Sequence, residues 1–322
     1  MRRFAAMAVA LVAATTPSLS LNASEAWPTR PVRVIVPLPA GSAVDAAARL
    51  VGDVLSKRWG QPVVVENRPG ADGSIGTGAF ASTRDDHTLM YGIASALTVN
   101  PLVQDKLPYD PTRDLVPISA VTNASFVVAV HNGVPARSLV DLARLARAEP
   151  GKLFWSSGPG LTRYVFSAFL KRGGLEMLYV SYKDVASQSI DLGEGRIQVL
   201  ITALQVTNTP VHSGKAHIIA VTNSRRAPML PDVPTAAEAG HLEMTMDGLS
   251  GFFGWRGMPV DLRDKISADV QAAVRDSEVR ARIEASGQSL LGGTPVEFEA
   301  AIEAQRARVH EIAQLIDLRS AK

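Results

Sequence analysis

A repeated change of hydrophobic period constrains this chain more than any other feature. Short runs rich in β-branched residues, at 32–36, 63–66 and 88–93, are separated by segments of helical spacing at 44–59 and from about residue 74. In the first such segment Val44, Ala48, Val51 and Leu55 recur three and four apart, giving one apolar stripe, while Arg49, Asp53 and Lys57 fall elsewhere. Strands that alternate with helices build parallel sheets with crossover helices. A second round follows: strand 126–130, a helix opened by the capping pair Ser138 and Asp141 and closed by Pro150-Gly151, strand 153–156, and a helix from about Thr162. Strand 177–180, helix 185–192 and strands 198–201 and 217–221 complete it. A chain of 322 residues exceeds one comfortable core. The expected fold class is therefore α/β with two lobes, each a mostly parallel sheet flanked by helices, and a cleft between them.

The Pro-rich stretch 228–234 and the Gly-rich stretch 248–257 read as connections. Two helices end the chain. The first is opened by Asp261 and Asp264; the second is opened by Thr294, with Pro295 in its first turn and Glu297 completing a capping box. Phe298, Ile302, Gln305, Val309 and Ile312 mark the buried face of the second, which returns to the first lobe. The chain then crosses between lobes near 121–125 and 223–226. This divides it into residues 27–122 and 226–322 for the first lobe and 123–225 for the second.

Before residue 27, Arg2 and Arg3 precede a small and apolar stretch from Phe4 to Ala14, the pattern of a secretory leader over residues 1–26. The stretch falls short of the roughly 20 residues of a membrane-spanning helix, which weighs against the competing reading of a retained anchor. Ser24-Glu25-Ala26 suits signal peptidase, with Ala23 as a second candidate end. Cysteine is absent, which excludes disulfides, thiolate metal sites, a cysteine nucleophile and a lipidated N-terminal cysteine. A formal charge of +2 without a basic run argues against nucleic acid as a partner.

Enzyme signatures fail. Gly76 to Ala81 matches a loose dinucleotide fingerprint, but about ten loop residues separate it from the preceding strand. The histidines at 87, 131, 212, 217, 241 and 310 have no zinc spacing, and neither a G-x-S-x-G elbow nor a P-loop occurs. No cofactor or metal is expected, and no catalytic residue.

Three strand ends run into short Gly- or Ser-containing turns that open helices. Helix N-termini at the carboxyl edge of such a sheet present unpaired N–H groups and a partial positive charge, which suits an anion. The first turn holds Leu38, Ala40, Gly41, Ser42, Ala43 and Asp45; Gly41 permits a sharp turn, and Asp45 either caps the helix or contacts ligand. The second holds Ser157, Gly160, Leu161, Thr162 and Arg163, where Arg163 either pairs with a carboxylate or is a solvated surface residue. Ser95 follows the strand at 88–93 as a contact or a helix cap, and Thr202 and Ala203 follow the strand at 198–201.

Taken with their order, several of these segments resemble a known family. The run from Val34 to Arg49, VIVPLPAGSAVDAAAR, is followed by GQPVVVENRPG at 60–70, LPYDP at 107–111, PGKL at 150–153, VSYK at 180–183, LPDVPT at 230–235 and GGTP at 292–295. Together they resemble the tripartite tricarboxylate transporter receptors, also called Bug-type solute-binding proteins, over essentially the whole chain after residue 26. The resemblance implies a monomeric periplasmic receptor of the two-lobed periplasmic-binding-protein kind. Such a receptor holds a small organic carboxylate between its lobes and delivers it to membrane permease subunits without catalysis. It also implies that the Leu38 to Asp45 turn and the Ser156 to Arg163 turn pinch the carboxylate, with Ser95 and Thr202 supporting. Ser42 replaces the family's usual second glycine and Tyr164 stands where many relatives carry His. Thr202 stands where many carry Asp, and with Arg163 it implies a more anionic or differently shaped ligand. A carboxylate-sensing adaptor for a signalling partner and a secreted hydrolase are the alternative readings.

Overall fold

The computed structural model describes residues 27–158, 160–182 and 184–319, so the expected leader and its cleavage point lie outside the described residues. Among these residues eleven strands form two sheets. The first holds β1 (Val32–Val36), β2 (Val63–Asn67), β3 (Thr88–Ile93), β4 (Leu115–Ala124), β10 (Gly248–Trp255) and β11 (Gln288–Leu290), in the order β11-β4-β10-β3-β1-β2. The second holds β5 (Phe126–His131), β6 (Phe154–Ser157), β7 (Leu178–Tyr179), β8 (Val199–Ala203) and β9 (Ala216–Val221), in the order β7-β6-β8-β5-β9. Around the first sheet lie helices α1 (Ala43–Trp59), α2 (Ser74–Ala81), α3 (Ser95–Thr98) and α4 (Asn100–Val103). The second carries α5 (Leu139–Ala148), α6 (Leu161–Gly173), α7 (Val185–Gly193) and α8 (Asn208–His212); α9 (Val260–Val274), α10 (Ser277–Ala285) and α11 (Pro295–Leu315) follow.

Both sheets are mixed. β1 pairs in parallel with β2 and β3, whereas β10 runs antiparallel to both β3 and β4. In the second sheet β5 is the reversed strand, antiparallel to β8 and β9. The stretch 248–257, expected as a connection, is instead the strand β10 in the interior of the first sheet. Its glycines are packing devices. A Cβ on Gly251 would come 2.3 Å from the Ser119 carbonyl and 2.8 Å from the Phe298 ring, so only glycine lets α11 and β4 close on this strand. Gly76 and Gly78 of the apparent fingerprint serve the same end, since a Cβ there would meet the Arg68 carbonyl at 2.5 Å and Pro108 at 2.6 Å.

The terminal helix follows its sequence pattern. Thr294 Oγ1 accepts from the Glu297 N–H while the Glu297 carboxylate accepts from the Thr294 N–H, and Phe298, Ile302, Gln305, Val309 and Ile312 are the buried positions. Phe298 packs 5.0 Å from Phe253 between ring centroids, in the first-lobe core. Val309 and Ile312 reach further, into a cluster shared with Val99, with Val103 of α4 and with Leu161, Val165 and Ala168 of α6. The helix packs on the first sheet through Phe298 and Ile302 and also leans on α6 of the second lobe.

The chain passes from one sheet to the other at Ser125, between β4 and β5. The return comes later than 223–226. Val221 bridges Thr235, and Ala236 and Met244 join the second-lobe core, so residues 227–246 stay with the second lobe until β10 begins. The two crossings are tied together by amides. Asn223 donates to the Asn123 side chain at 2.9 Å and to the Ala124 carbonyl at 2.8 Å, and Asn123 donates to Asp247 at 2.7 Å. A short hydrogen-bonded neck of this kind suits a hinge.

Candidate functional site

The two sheets face each other across a cleft of about 280 Å³, just under the lower end of small-molecule sites at roughly 300 Å³. Its walls are mainly apolar: Leu38, Val44, Ile93, Val99, Phe126, Leu161 and Leu249 all line it. Polar groups are few. Ser95, Asn100, Ser250 and Gln288 come from the first lobe, Tyr164 and Gln205 from the second, and among the described residues Asp72 is the single charged side chain on the lining.

Two helices begin at this cleft, one from each lobe. At α1, Gly41 (φ +79) turns the chain and Ser42 caps the helix, accepting from the Asp45 N–H at 3.2 Å. Ala43 and Val44, the first helical residues, line the cleft, and their N–H groups precede any intrahelical acceptor. At α6 the turn is made by Gly160, with φ 67 and ψ −119, a conformation open in practice only to glycine. Gly160 and Leu161 line the cleft from this side. The two helix starts therefore bring unpaired donors and partial positive charge to one enclosed space.

Asp45 is a support, not a wall residue. It is 3 % exposed, and its carboxylate accepts from the Gly41 N–H (2.8 Å), Arg49 Nε (3.0 Å) and Asn67 Nδ2 (2.9 Å). Burial acts to raise its pKa, but the hydrogen bonds from Arg49, Gly41 and Asn67 outweigh it and hold the group below the usual carboxylate value. Asn67 also donates to the Leu38 carbonyl at 3.1 Å, so one carboxylate and one amide fix the whole first turn.

The second turn is braced in the same way. Thr162 Oγ1 donates to the Gly158 carbonyl at 2.8 Å, and Gln188 Nε2 donates to the Ser157 carbonyl at 2.7 Å. Thr202 Oγ1 lies where a Cβ on Gly158 would sit 3.3 Å away. Of the residues singled out from sequence, Leu38, Ala43, Ser95, Gly160 and Leu161 line the cleft. Ala40, Gly41, Ser42, Asp45, Ser157, Thr162, Thr202 and Ala203 are not part of that lining. Arg163 points elsewhere. Its guanidinium lies 4.0 Å from the centroid of the Tyr179 ring, in a separate surface depression with Trp155, Ser167 and Lys171. The more anionic ligand that Arg163 suggested thus loses its cation.

Sequence reasoning missed the polar residues contributed by distant segments. Asp72 sits in the turn 70–73, where Ala71 (φ 47) and Asp72 (φ 52) both adopt the left-handed conformation. Asn100 Nδ2 donates to the Asp72 carbonyl at 3.1 Å and to Ser74 Oγ at 3.0 Å, and Gln104 donates to the Ala71 carbonyl at 3.1 Å. Gln288 donates to the Ala43 carbonyl at 3.3 Å, steadying the start of α1 from β11. Ser250 and Thr122 share a 2.5 Å hydroxyl contact beside Tyr91, whose phenol burial pushes up to about 12. Tyr164 is raised too, by burial and then by the Asp72 charge, against an opposing effect of Arg163. Among the described residues no cluster of three or more metal-ligating side chains occurs, and no helix is long and apolar enough to cross a membrane.

Comparison with known proteins agrees with this architecture. The family model described as "Tripartite tricarboxylate transporter family receptor" matches residues 47–318. A relative from Pseudomonas sp. (strain P51), "UPF0065 protein in tcbD-tcbE intergenic region", is 33% identical over 288 residues, 88% of this chain and 85% of its own length. Among solved structures, R. palustris Rpa4515 with adipate superposes with a TM-score of 0.76 at 29% identity, covering 90% of this chain and 98% of that one. MatC (Rpa3494) from Rhodopseudomonas palustris with bound malate gives a TM-score of 0.72 at 25% identity, covering 89% and 99%. Two mixed sheet-and-helix lobes around a common cleft, with a family match over most of the described chain, lead to one conclusion: this protein belongs to the tripartite tricarboxylate transporter receptor family of periplasmic solute-binding proteins.

Proposed function

We propose that this chain is a periplasmic receptor that encloses a small organic carboxylate between its lobes and presents it to membrane permease subunits. One observation carries the reading: the starts of α1 and α6, on opposite lobes, line the same largely apolar cleft. An enclosed carboxylate loses hydration worth several kcal/mol, which several good hydrogen bonds must offset. Helix starts on both sides supply donors that need no reorganisation. Because the donors are divided between lobes, full satisfaction requires closure, and ligand shifts the hinge equilibrium toward the closed form. That two family members are known with adipate and malate supports a carboxylate as the ligand class.

Thermal denaturation of the purified protein against a panel of small carboxylates tests this, because a ligand that binds only the folded state raises the midpoint by mass action. At least one member is expected to do so and to reduce the radius of gyration in solution scattering. A panel without effect, or identical scattering curves with and without saturating ligand, would contradict a closing receptor.

A further inference from the structure

The charge on the cleft is unusual for a site that takes anions. Among the described residues no lysine, arginine or histidine lines it, and the one carboxylic acid there is Asp72. Each helix start presents about half a positive charge, so α1 and α6 together offset about one carboxylate. A second carboxylate on the same ligand would find no cationic side chain among the described lining residues and would share the cleft with Asp72.

Asp72 is placed for a purpose of its own. The Asp72 carboxylate has no hydrogen-bond or ion-pair partner among the described residues, and the side chain is exposed to the cleft. The turn that carries it is fixed in a left-handed conformation by Asn100 and Gln104, which bind its backbone rather than its side chain. On the opposite lobe Tyr164 is 5 % exposed, lines the same cleft, and its hydroxyl likewise has no partner among the described residues. The ring is buried while the hydroxyl stays open on the cleft, where a ligand group can take the place of water as its partner. Tyr164 and Phe126 add two aromatic side chains to the lining, and the face of an aromatic ring attracts cations and not anions.

We propose that Asp72 and Tyr164 form the selective end of the cleft, so that the preferred ligand is a zwitterionic monocarboxylate whose ammonium group is held there while its carboxylate meets the two helix starts. The proposal rests on the receptor reading and deepens it, naming the chemical class of the ligand. A dicarboxylate of equal length is the disfavoured competitor.

Calorimetric titration of the purified protein with chain-matched probes tests it at two lengths: butyrate, 4-aminobutyrate and succinate, then hexanoate, 6-aminohexanoate and adipate. At one length at least, the amino acid is expected to bind at least tenfold more tightly than the diacid. Asp72→Asn keeps a residue that tolerates the left-handed backbone, and it is expected to shrink that ratio below threefold. Tyr164→Phe, which keeps the ring, is expected to weaken the amino acid severalfold more than the monocarboxylate. Diacid binding equal to or tighter than that of the amino acid, or a preference that survives Asp72→Asn, overturns this inference and leaves the receptor reading standing. Absence of binding by all six probes overturns both.

Discussion

Replacing Asp45 by Asn separates two roles that the sequence leaves open for this residue. The carboxylate accepts three hydrogen bonds, from Gly41 N–H, Arg49 Nε and Asn67 Nδ2, and it sits in the first turn of α1. Asparagine keeps the shape but turns one acceptor into a donor, which then opposes either the Gly41 N–H or the pair from Arg49 and Asn67. Loss of one or two charge-assisted bonds costs about 1.5–3 kcal/mol each, and loss of charge at a helix start about 0.3–1 kcal/mol. The Arg49 side chain is 48% exposed, so its share is screened toward the low end. The expected destabilisation is about 2–4 kcal/mol in ligand-free protein, read by urea or thermal denaturation. It also depends on pH. A depressed folded pKa means the stabilisation is complete above the unfolded carboxylate value, near 3.9, and is lost as pH falls toward the folded value. The gap between wild type and Asp45→Asn is therefore expected to be full at neutral pH and to close in acid. A variant as stable as wild type without ligand, yet impaired in carboxylate binding, would refute the support role and make Asp45 a direct contact.

Three further outcomes follow from the same geometry. Gly160→Ala is expected to cost about 1–3 kcal/mol by denaturation and to weaken carboxylate binding, through backbone strain alone, since a Cβ there meets nothing within 4 Å. Arg163→Ala is expected to leave carboxylate affinity within twofold in titration, because the guanidinium stacks on Tyr179 away from the cleft; a tenfold loss would return Arg163 to the site. Phe298→Ala is expected to lower stability by about 3–5 kcal/mol, measured by denaturant unfolding, as a fully buried ring between α11 and β10 is removed.

How far the sequence could be followed depended on whether local pattern and tertiary packing agreed. α11 was legible to the residue because its capping box and its period of 3.6 both depend on neighbours in the chain, and even the polar Gln305 on its buried face finds partners in Thr98 and the Asp247 carbonyl. β10 was not, because GLSGFFGW has the composition of a turn. Gly251 answers to Phe298 and Ser119, residues that only the folded chain brings near. β4 hid behind Pro117, which the sheet accommodates at a register shift against Phe253. At the site, the glycine turns that open α1 and α6 stood out because strand, glycine and helix are consecutive. Asp72 and Gln288 carry no such local mark; they reach the cleft through the topology of the first sheet.

The central claim is that backbone donors at two opposed helix starts hold the ligand's carboxylate, and a crystal structure of the complex with a carboxylate found in the panel tests it most directly. The account predicts carboxylate oxygens within about 3 Å of main-chain nitrogens at Ala43 or Val44 and at Gly160 or Leu161, with no arginine or lysine side chain in contact. A carboxylate gripped by a cationic side chain, or bound on an outer face while the space between the lobes stays free of ligand, would contradict it.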